Sequence, residues 1–214
     1  GVWNTDPVLP DPRGNFMHPV LYELGTFPIR SYGVAMAVAF LTGILVARVR
    51  ARRAGLNPDL IIDLAFYVMI LSIVGARGAY VLGRWSWFAE HPSHIPRIWD
   101  GGLVLYGGMI TGVLTGLVFF HRRRVDPWLG ADVVAPSLAL GVAIGRVGCF
   151  LNGFCFGRPC ELPWAVTFPP SSYADQAFGG LAVHPTQVYA SLSALAFFFV
   201  LLAVERRKPF HGFL

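Results

Sequence analysis

An uncharged run from Ser31 to Ala47 stops abruptly at a basic cluster, Arg48–Arg53. The arrangement returns twice: Gly101–Phe120 ends at His121–Arg124, and Pro185–Val204 ends at Glu205–Lys208. Two further runs lie between these. Leu60–Leu82 is apolar except for Asp63 and Arg77, and Leu129–Phe156 is apolar but contains Asp132 and Arg146. A helix needs roughly 20 mostly apolar residues to cross the hydrocarbon core of a bilayer. The runs therefore predict an all-α, polytopic membrane bundle with spans at about 31–47, 60–82, 101–120, 129–156 and 185–204. Composition agrees. Of 214 residues 55% are apolar and 14% charged, against ~25% charged in soluble domains, and the mean hydropathy is +0.56. A soluble globule cannot hide that much apolar surface behind so few charges. Disordered, collagen-like and disulfide-scaffold classes are excluded as well.

The basic residues set the direction of the spans. Arg48, Arg50, Arg52, Arg53, Arg122, Arg123, Arg124, Arg206, Arg207 and Lys208 all come after the first, third and fifth spans and fall on one side. Arg13, Arg30, Arg84, Arg97 and Arg158 are spread thinly over the other. The positive-inside rule then puts the N-terminus outside and the C-terminus in the cytoplasm. The net charge of +5 is thus a mark of topology, and no nucleic-acid partner is expected.

Residues 1–30, with Pro7, Pro10, Pro12, Pro19 and Pro28, read as an external arm, and 157–184, with GRPCELPW, FPPSSY and FGG, as an external loop. The first residues lack the basic segment and apolar core of a signal peptide. With no initiator Met, a processed or trimmed chain is expected. Gly108, Gly112 and Gly116 recur every four residues in the third span, a spacing for close helix packing rather than for phosphate. Cys149, Cys155 and Cys160 are odd in number and match no zinc spacing. They read first as packing residues, with a redox pair or a metal site as lesser alternatives. No metal and no cofactor are expected.

Ionisable side chains inside a span cost about 2.5–3.5 kcal/mol each on insertion scales. Asp63 and Asp132 fall in early helical turns, where a carboxylate suits the helix dipole. Arg77 and Arg146 lie toward the outer half of their spans, at the level of Tyr32, Tyr106, His184 and Gln187. One reading is interfacial snorkelling and an aromatic belt. The other is an anion-binding cavity. Arg146 favours the cavity, because it sits in mid-run between GVAI and VGCFL. An arginine holds phosphate bidentately and keeps its charge when desolvated, so a lipid headgroup is the natural partner.

GRVGCFLNGFCFGRP (145–159), HPTQVYA (184–190), DGGLVLYGGMITG (100–112) and RSYGVAMA (30–37) resemble segments of the prolipoprotein diacylglyceryl transferases. GARGAYVLGRW (75–85) and ADVVAPSLALG (131–141) are similar too, so the resemblance covers nearly the whole chain in order. It implies transfer of a diacylglyceryl group from phosphatidylglycerol to the cysteine of a preprolipoprotein signal segment, with release of glycerol phosphate. It also implies a multi-pass protein of the bacterial inner membrane whose site faces the outer leaflet, in contact with membrane lipids. The resemblance and the residue-level reading together mark Arg146, Tyr106 and Tyr32 as candidate catalytic residues. Arg77, Asn152, Gly153, Gly157, Arg158, His184, Gln187 and Tyr189 are the candidate substrate- or lipid-binding residues.

The chain departs from the family at three positions. Tyr106 stands where the family has His, Cys149 where it has Asn, and Phe154 where it has an acidic residue. The family also continues past the point corresponding to Val204 into another helix with an important Arg, so residues 209–214 are expected to begin a missing C-terminal segment. Tyr106 is expected at the external end of the third span, facing Arg146. There it either accepts the thiol proton as a phenolate stabilised by Arg146, or positions a phosphate. The departures leave a second reading, a catalytically impaired paralogue acting as a lipid-binding or structural subunit of a membrane complex. A transporter fits less well, since the polar groups gather to one side of the membrane and no repeat is visible.

Overall fold

The computed structural model describes residues 20–24, 27–170 and 172–205. A two-stranded antiparallel hairpin, β1 (Val20–Leu24) and β2 (Phe27–Arg30), pairs Val20 with Arg30 through a bulge. The helices come next in order: α1 (Ser31–Arg53), α2 (Asp59–Gly83), α3 (Trp85–Glu90), α4 (Leu105–Arg122), α5 (Pro127–Leu151), α6 (Tyr173–Phe178) and α7 (Thr186–Glu205). Four of them, α1, α2, α5 and α7, are long and apolar enough to cross a membrane. Large apolar side chains such as Val74, Leu82, Leu138 and Phe199 stand more than half exposed along them, as hydrocarbon-facing residues do. The chain is therefore an all-α polytopic membrane protein.

The helix ends correct the expected span limits, each for a local reason. The third run begins as helix at Leu105, not Gly101, because Gly101 and Gly102 take φ values of 81° and 75°, outside the helical region. At 18 residues, diluted by Gly107, Gly108, Gly112 and Gly116 and ending in His121 and Arg122, α4 falls short of the other four in length and apolarity. The fourth run stops at Leu151, not Phe156, because Gly153 turns left-handed. The first continues through its basic cluster to Arg53. Of the expected external arm only the hairpin is described; residues 1–19 and the expected segment 209–214 lie outside the described residues.

The chain divides into two compact units, residues 1–43 with 138–200, and residues 44–137 with 201–214. In the second unit, α2 and α4 meet through small residues. A Cβ on Gly107 would come within 2.6 Å of the Gly75 carbonyl, and one on Gly108 within 3.1 Å of the Ser72 carbonyl. Gly112 abuts the Ser72 hydroxyl, whereas Gly116 has open space beside it, so the small-residue contact uses only part of the glycine period. Leu64, Phe119 and Phe120 cluster where α4 ends. Ala47, Ala51, Ile61 and Val133 form a second cluster.

One arginine of the first basic cluster is buried in this unit. Pro136 interrupts α5, and a proline has no N–H to offer the carbonyl four residues back. That carbonyl, of Asp132, instead accepts from the Arg50 guanidinium at 2.7 Å, and the Val133 carbonyl accepts from Arg50 Nε at 3.0 Å. Arg50 also pairs with Glu205. Arg123 reaches Asp63 at 2.9 Å and Arg48 reaches Asp59 at 3.1 Å. Both acids lie in the first two turns of α2, as a helix N-terminus favours.

In the first unit, the segment between α5 and α7 folds on its own small core. Phe168, Ala174 and Val183 are buried against Phe150, Phe156, Val166 and Phe178. Val183 bridges both Pro159 and Val166. α6 is capped by the Ser172 hydroxyl, which accepts from the Asp175 N–H. The expected loop 157–184 is thus an ordered lobe.

Candidate functional site

The first unit assembles most of the sequence-marked residues, beginning with a close helix pair. Gly148 of α5 lies against α1: a Cβ there would meet the Ala35 methyl at 2.6 Å and the Tyr32 Cα at 3.6 Å. Gly145 and Gly141 continue the same stripe against Met36 and the Ala39 carbonyl. This approach sets Tyr32, in the first turn of α1, beside the α5 turn that carries Arg146. The Arg146 guanidinium lies within electrostatic reach of both Tyr32 and Cys149. Arg146 is half-buried and, among the described residues, makes no hydrogen bond or ion pair. An arginine in an apolar span with its donors unused by protein is suited to an anion.

α5 then ends in a Schellman turn. The Phe154 N–H returns to the Cys149 carbonyl at 3.0 Å and the Gly153 N–H to the Phe150 carbonyl at 3.1 Å, with Gly153 at φ 72°. Asn152 is the half-buried C-cap residue. Gly153 therefore has a structural reason in the backbone itself. Phe154 leaves the turn to meet Tyr32 edge-on at 6.5 Å and Tyr173 at 4.8 Å.

The start of α7 clamps the chain beyond this turn. Gln187, 1% exposed, donates its amide to the Phe154 carbonyl at 2.5 Å, and the Thr186 hydroxyl donates to the Cys155 carbonyl at 2.6 Å. The Gly157 N–H donates to the His184 carbonyl, and the His184 N–H to the Arg158 carbonyl, both at 3.0 Å. A side chain at Gly157 would strike the His184 Cβ and the Thr186 methyl at 2.8 Å, so only glycine permits this approach. The Gln187 Oε1 stays buried and has no partner among the described residues. The Arg158 side chain is exposed.

His184 and Tyr189 meet at the start of α7. The His184 Nδ1 lies 3.3 Å from the Tyr189 hydroxyl, which also accepts from the Trp164 Nε1 at 2.7 Å. Sequence reasoning missed Trp164 and Thr186. Trp164 carries no signal of its own, since its partner is 25 residues away and reached through the folded lobe. Thr186 was legible only as part of HPTQ, whose hydroxyl serves the backbone.

The two candidates in the second unit behave differently. Arg77 is 7% exposed and committed to backbone. It donates to the carbonyls of Ile95 (2.8 Å), His94 (2.6 Å), Gly101 (2.6 Å) and Gly102 (3.1 Å), and it lies over the rings of Tyr80 and Phe88. Its guanidinium holds the 94–102 segment against α2. An apolar groove of about 640 Å³ along Ile70, Val74, Gly78, Ile95 and Ile98 runs beside it. Tyr106 stands in the first turn of α4, 69% exposed, with no hydrogen bond among the described residues. No three of His, Cys, Asp and Glu converge among the described residues.

Comparison with known proteins bears on this arrangement. The sequence profile of the prolipoprotein diacylglyceryl transferase family matches residues 19–214. A phosphatidylglycerol–prolipoprotein diacylglyceryl transferase of a Nostoc species is 42% identical over 190 residues, covering 89% of this chain and 67% of the relative. Proteins of the same name from Bacillus velezensis and Staphylococcus aureus are 34% and 33% identical, covering 90% of this chain and 72% and 70% of their own lengths.

Proposed function

Since the chain belongs to the prolipoprotein diacylglyceryl transferase family, we propose that it transfers the diacylglyceryl group of phosphatidylglycerol to the cysteine thiol of a preprolipoprotein signal segment. The observation that carries this reading is Arg146, an arginine inside an apolar span that spends none of its donors on hydrogen bonds to the described protein. In the reaction the thiol loses its proton and the thiolate attacks the glyceryl carbon that bears the phosphate. The carbon–sulfur bond forms as the carbon–oxygen bond breaks, and glycerol phosphate leaves with the bonding pair. The leaving phosphate gains charge in the transition state, and a preorganised guanidinium stabilises it there more than in the ground state.

The other residues take supporting parts. Tyr32 lies beside Arg146 and orients the phosphate by its hydroxyl. Asn152, Gly153, Gly157 and Arg158 shape the turn and strand past Arg146, and Gln187 fixes that turn through the Phe154 carbonyl. His184 and Tyr189, with Trp164, present a hydrogen-bonded rim to the lipid headgroup. Tyr106 stands at the family's His position with an unengaged hydroxyl and is assigned the thiol proton.

The distribution of arginines supports an N-terminus outside, a site opening to the outer leaflet and a place in the bacterial inner membrane, where both substrates are membrane-bound. The test is direct. Purified chain is incubated with phosphatidylglycerol and a peptide bearing a signal segment with its cysteine. Released glycerol phosphate and a thioether-linked diacylglyceryl peptide are expected, and neither with Arg146→Ala. Release that persists in the Arg146→Ala protein would overturn the assignment of Arg146.

A further inference from the structure

Two of the three cysteines are held together by the turn that ends α5. Cys149 contributes the carbonyl that closes the Schellman turn, accepting from the Phe154 N–H at 3.0 Å, and Cys155 comes immediately after. Cys155 is exposed and takes φ 59°. A left-handed conformation costs a residue with a Cβ of the order of 1–2 kcal/mol, so the surroundings must impose it. They do so from α7, where Thr186 binds the Cys155 carbonyl and Gln187 the Phe154 carbonyl. The outcome is that Cys149 and Cys155 sit on one C-terminal turn of α5, in the neighbourhood of Tyr32 and Arg146. Cys160 stands apart in the lobe, its N–H bound to the Ala182 carbonyl.

We propose that Cys149 and Cys155 are a thiol-oxidation site, a dithiol that closes reversibly to a disulfide across the C-terminal turn of α5 when it meets a small-molecule disulfide. The exposed Cys155 reacts first. Its thiolate attacks one sulfur of the small molecule, forms a mixed disulfide and expels one thiol. The Cys149 thiolate then attacks the Cys155 sulfur and expels the second. One protein disulfide forms, two protein thiols are oxidised, and the two electrons and two protons leave on two small thiols. Closure pins Asn152 and Gly153 to the end of α5. It also withdraws two thiols from a site whose reaction runs through a substrate thiol. Persistence of the disulfide in the cell rests on the proposed external orientation; the closure itself does not.

The full chain in phosphatidylglycerol-containing vesicles is treated with oxidised glutathione, denatured, alkylated and digested. The expected product is a peptide cross-linked between Cys149 and Cys155, lighter by two hydrogens, with Cys160 alkylated and the link reopened by dithiothreitol. Cys160→Ser should keep the cross-link, and Cys155→Ser should lose it and leave Cys149 alkylated. Alkylation of both Cys149 and Cys155 after oxidation, separate glutathione adducts on each, or a link that includes Cys160 would overturn the proposal. The readout is a mass in the wild-type chain, so a negative result leaves the transferase reading standing, and an inactive transferase leaves this result intact.

Discussion

Arg77 and Arg146 look alike in the sequence. Each is a lone arginine in an apolar run, and each is flanked by glycine, in GARG and GRVG. The folded chain separates them. Arg77 gives its donors to four backbone carbonyls and lies over two aromatic rings. Arg146 gives none to the described protein. The difference arises from the backbone near each arginine. Beyond α2 lies a stretch of short turns, 91–104, whose carbonyls have no long helix or strand ladder to satisfy them. Past the Arg146 turn α5 continues helical to Leu151, so its own carbonyls are met within the helix. An intramembrane arginine is thus a backbone staple where irregular chain surrounds it, and is left for a ligand where helix does.

The largest expected effect breaks this contrast from the Arg146 side. Arg146→Ala should reduce transfer to phosphatidylglycerol-dependent background, at least about 10³-fold, while the thermal midpoint stays close to that of the parent. Arg146→Lys should recover little, because an ammonium does not present a bidentate fork. Near-parental turnover in Arg146→Ala would place the phosphate elsewhere.

Arg77→Ala should do the opposite. It strands the carbonyls of Ile95, Gly101 and Gly102, while that of His94 keeps the Arg97 N–H, and an acceptor left without a donor costs about 1–3 kcal/mol; a total destabilisation of about 3 kcal/mol is expected once the segment relaxes. Measured in detergent, Arg77→Ala should show a lowered midpoint and early proteolysis within 94–102, with whatever protein remains folded binding phosphatidylglycerol normally. Arg77→Ala protein with an unchanged midpoint and lost lipid binding would return Arg77 to the lipid site.

Gly157 sharpens the comparison within the first unit, where backbone approach rather than charge sets the site. A methyl at 157 meets His184 and Thr186 at 2.8 Å, and overpacking of this kind costs about 1–3 kcal/mol. Gly157→Ala should lower the midpoint and weaken transfer together, since the strand it displaces carries Arg158. An unchanged midpoint would show that the α7 clamp yields freely.

The range of each interaction decides how much of this was legible in the sequence. The apolar runs marked the five long helices, four of them apolar and long enough to cross a membrane, because length and hydropathy are local properties. Their ends were misplaced where a single backbone angle decides them, at Gly101, Gly102 and Gly153. The sequence grouped Arg146 with Tyr32 by depth in their spans, whereas the Gly141, Gly145 and Gly148 stripe by which α1 and α5 meet was not read from it. The staple role of Arg77 was not, because its acceptors lie 17 to 25 residues away in a segment with no period. The clamp by Thr186 and Gln187 was hidden for the same reason, with acceptors 31 and 33 residues distant.

Tyr106 extends the contrast to a hydroxyl. Its ring is 69% exposed and its oxygen is not engaged by the described protein, so removing that oxygen should leave folding intact. If Tyr106 takes the thiol proton, Tyr106→Phe should lower turnover about tenfold or more with little change in lipid affinity, the split expected when an interaction matters only in the transition state. Tyr106→His should restore turnover, by the family's usual side chain. Equal turnover in the parent and the Tyr106→Phe protein would remove this hydroxyl from the chemistry.

The smallest effect concerns a third arginine, Arg50, which tests the staple principle by removing the need for it. Pro136 leaves the Asp132 carbonyl without its helical donor, and Arg50 supplies one at 2.7 Å. Pro136→Ala provides an N–H four residues on, where an α-helix needs it. The Arg50 bond to that carbonyl then becomes redundant, although its bonds to Val133 and Glu205 remain. Arg50→Met should therefore cost less in the Pro136→Ala background than in the parent. The difference should be about 1 kcal/mol, the net worth of one hydrogen bond, and a double-mutant cycle on denaturation midpoints isolates it. Strict additivity would mean that the proline leaves no carbonyl in need of Arg50, and that its burial rests on Glu205 and Val133 alone.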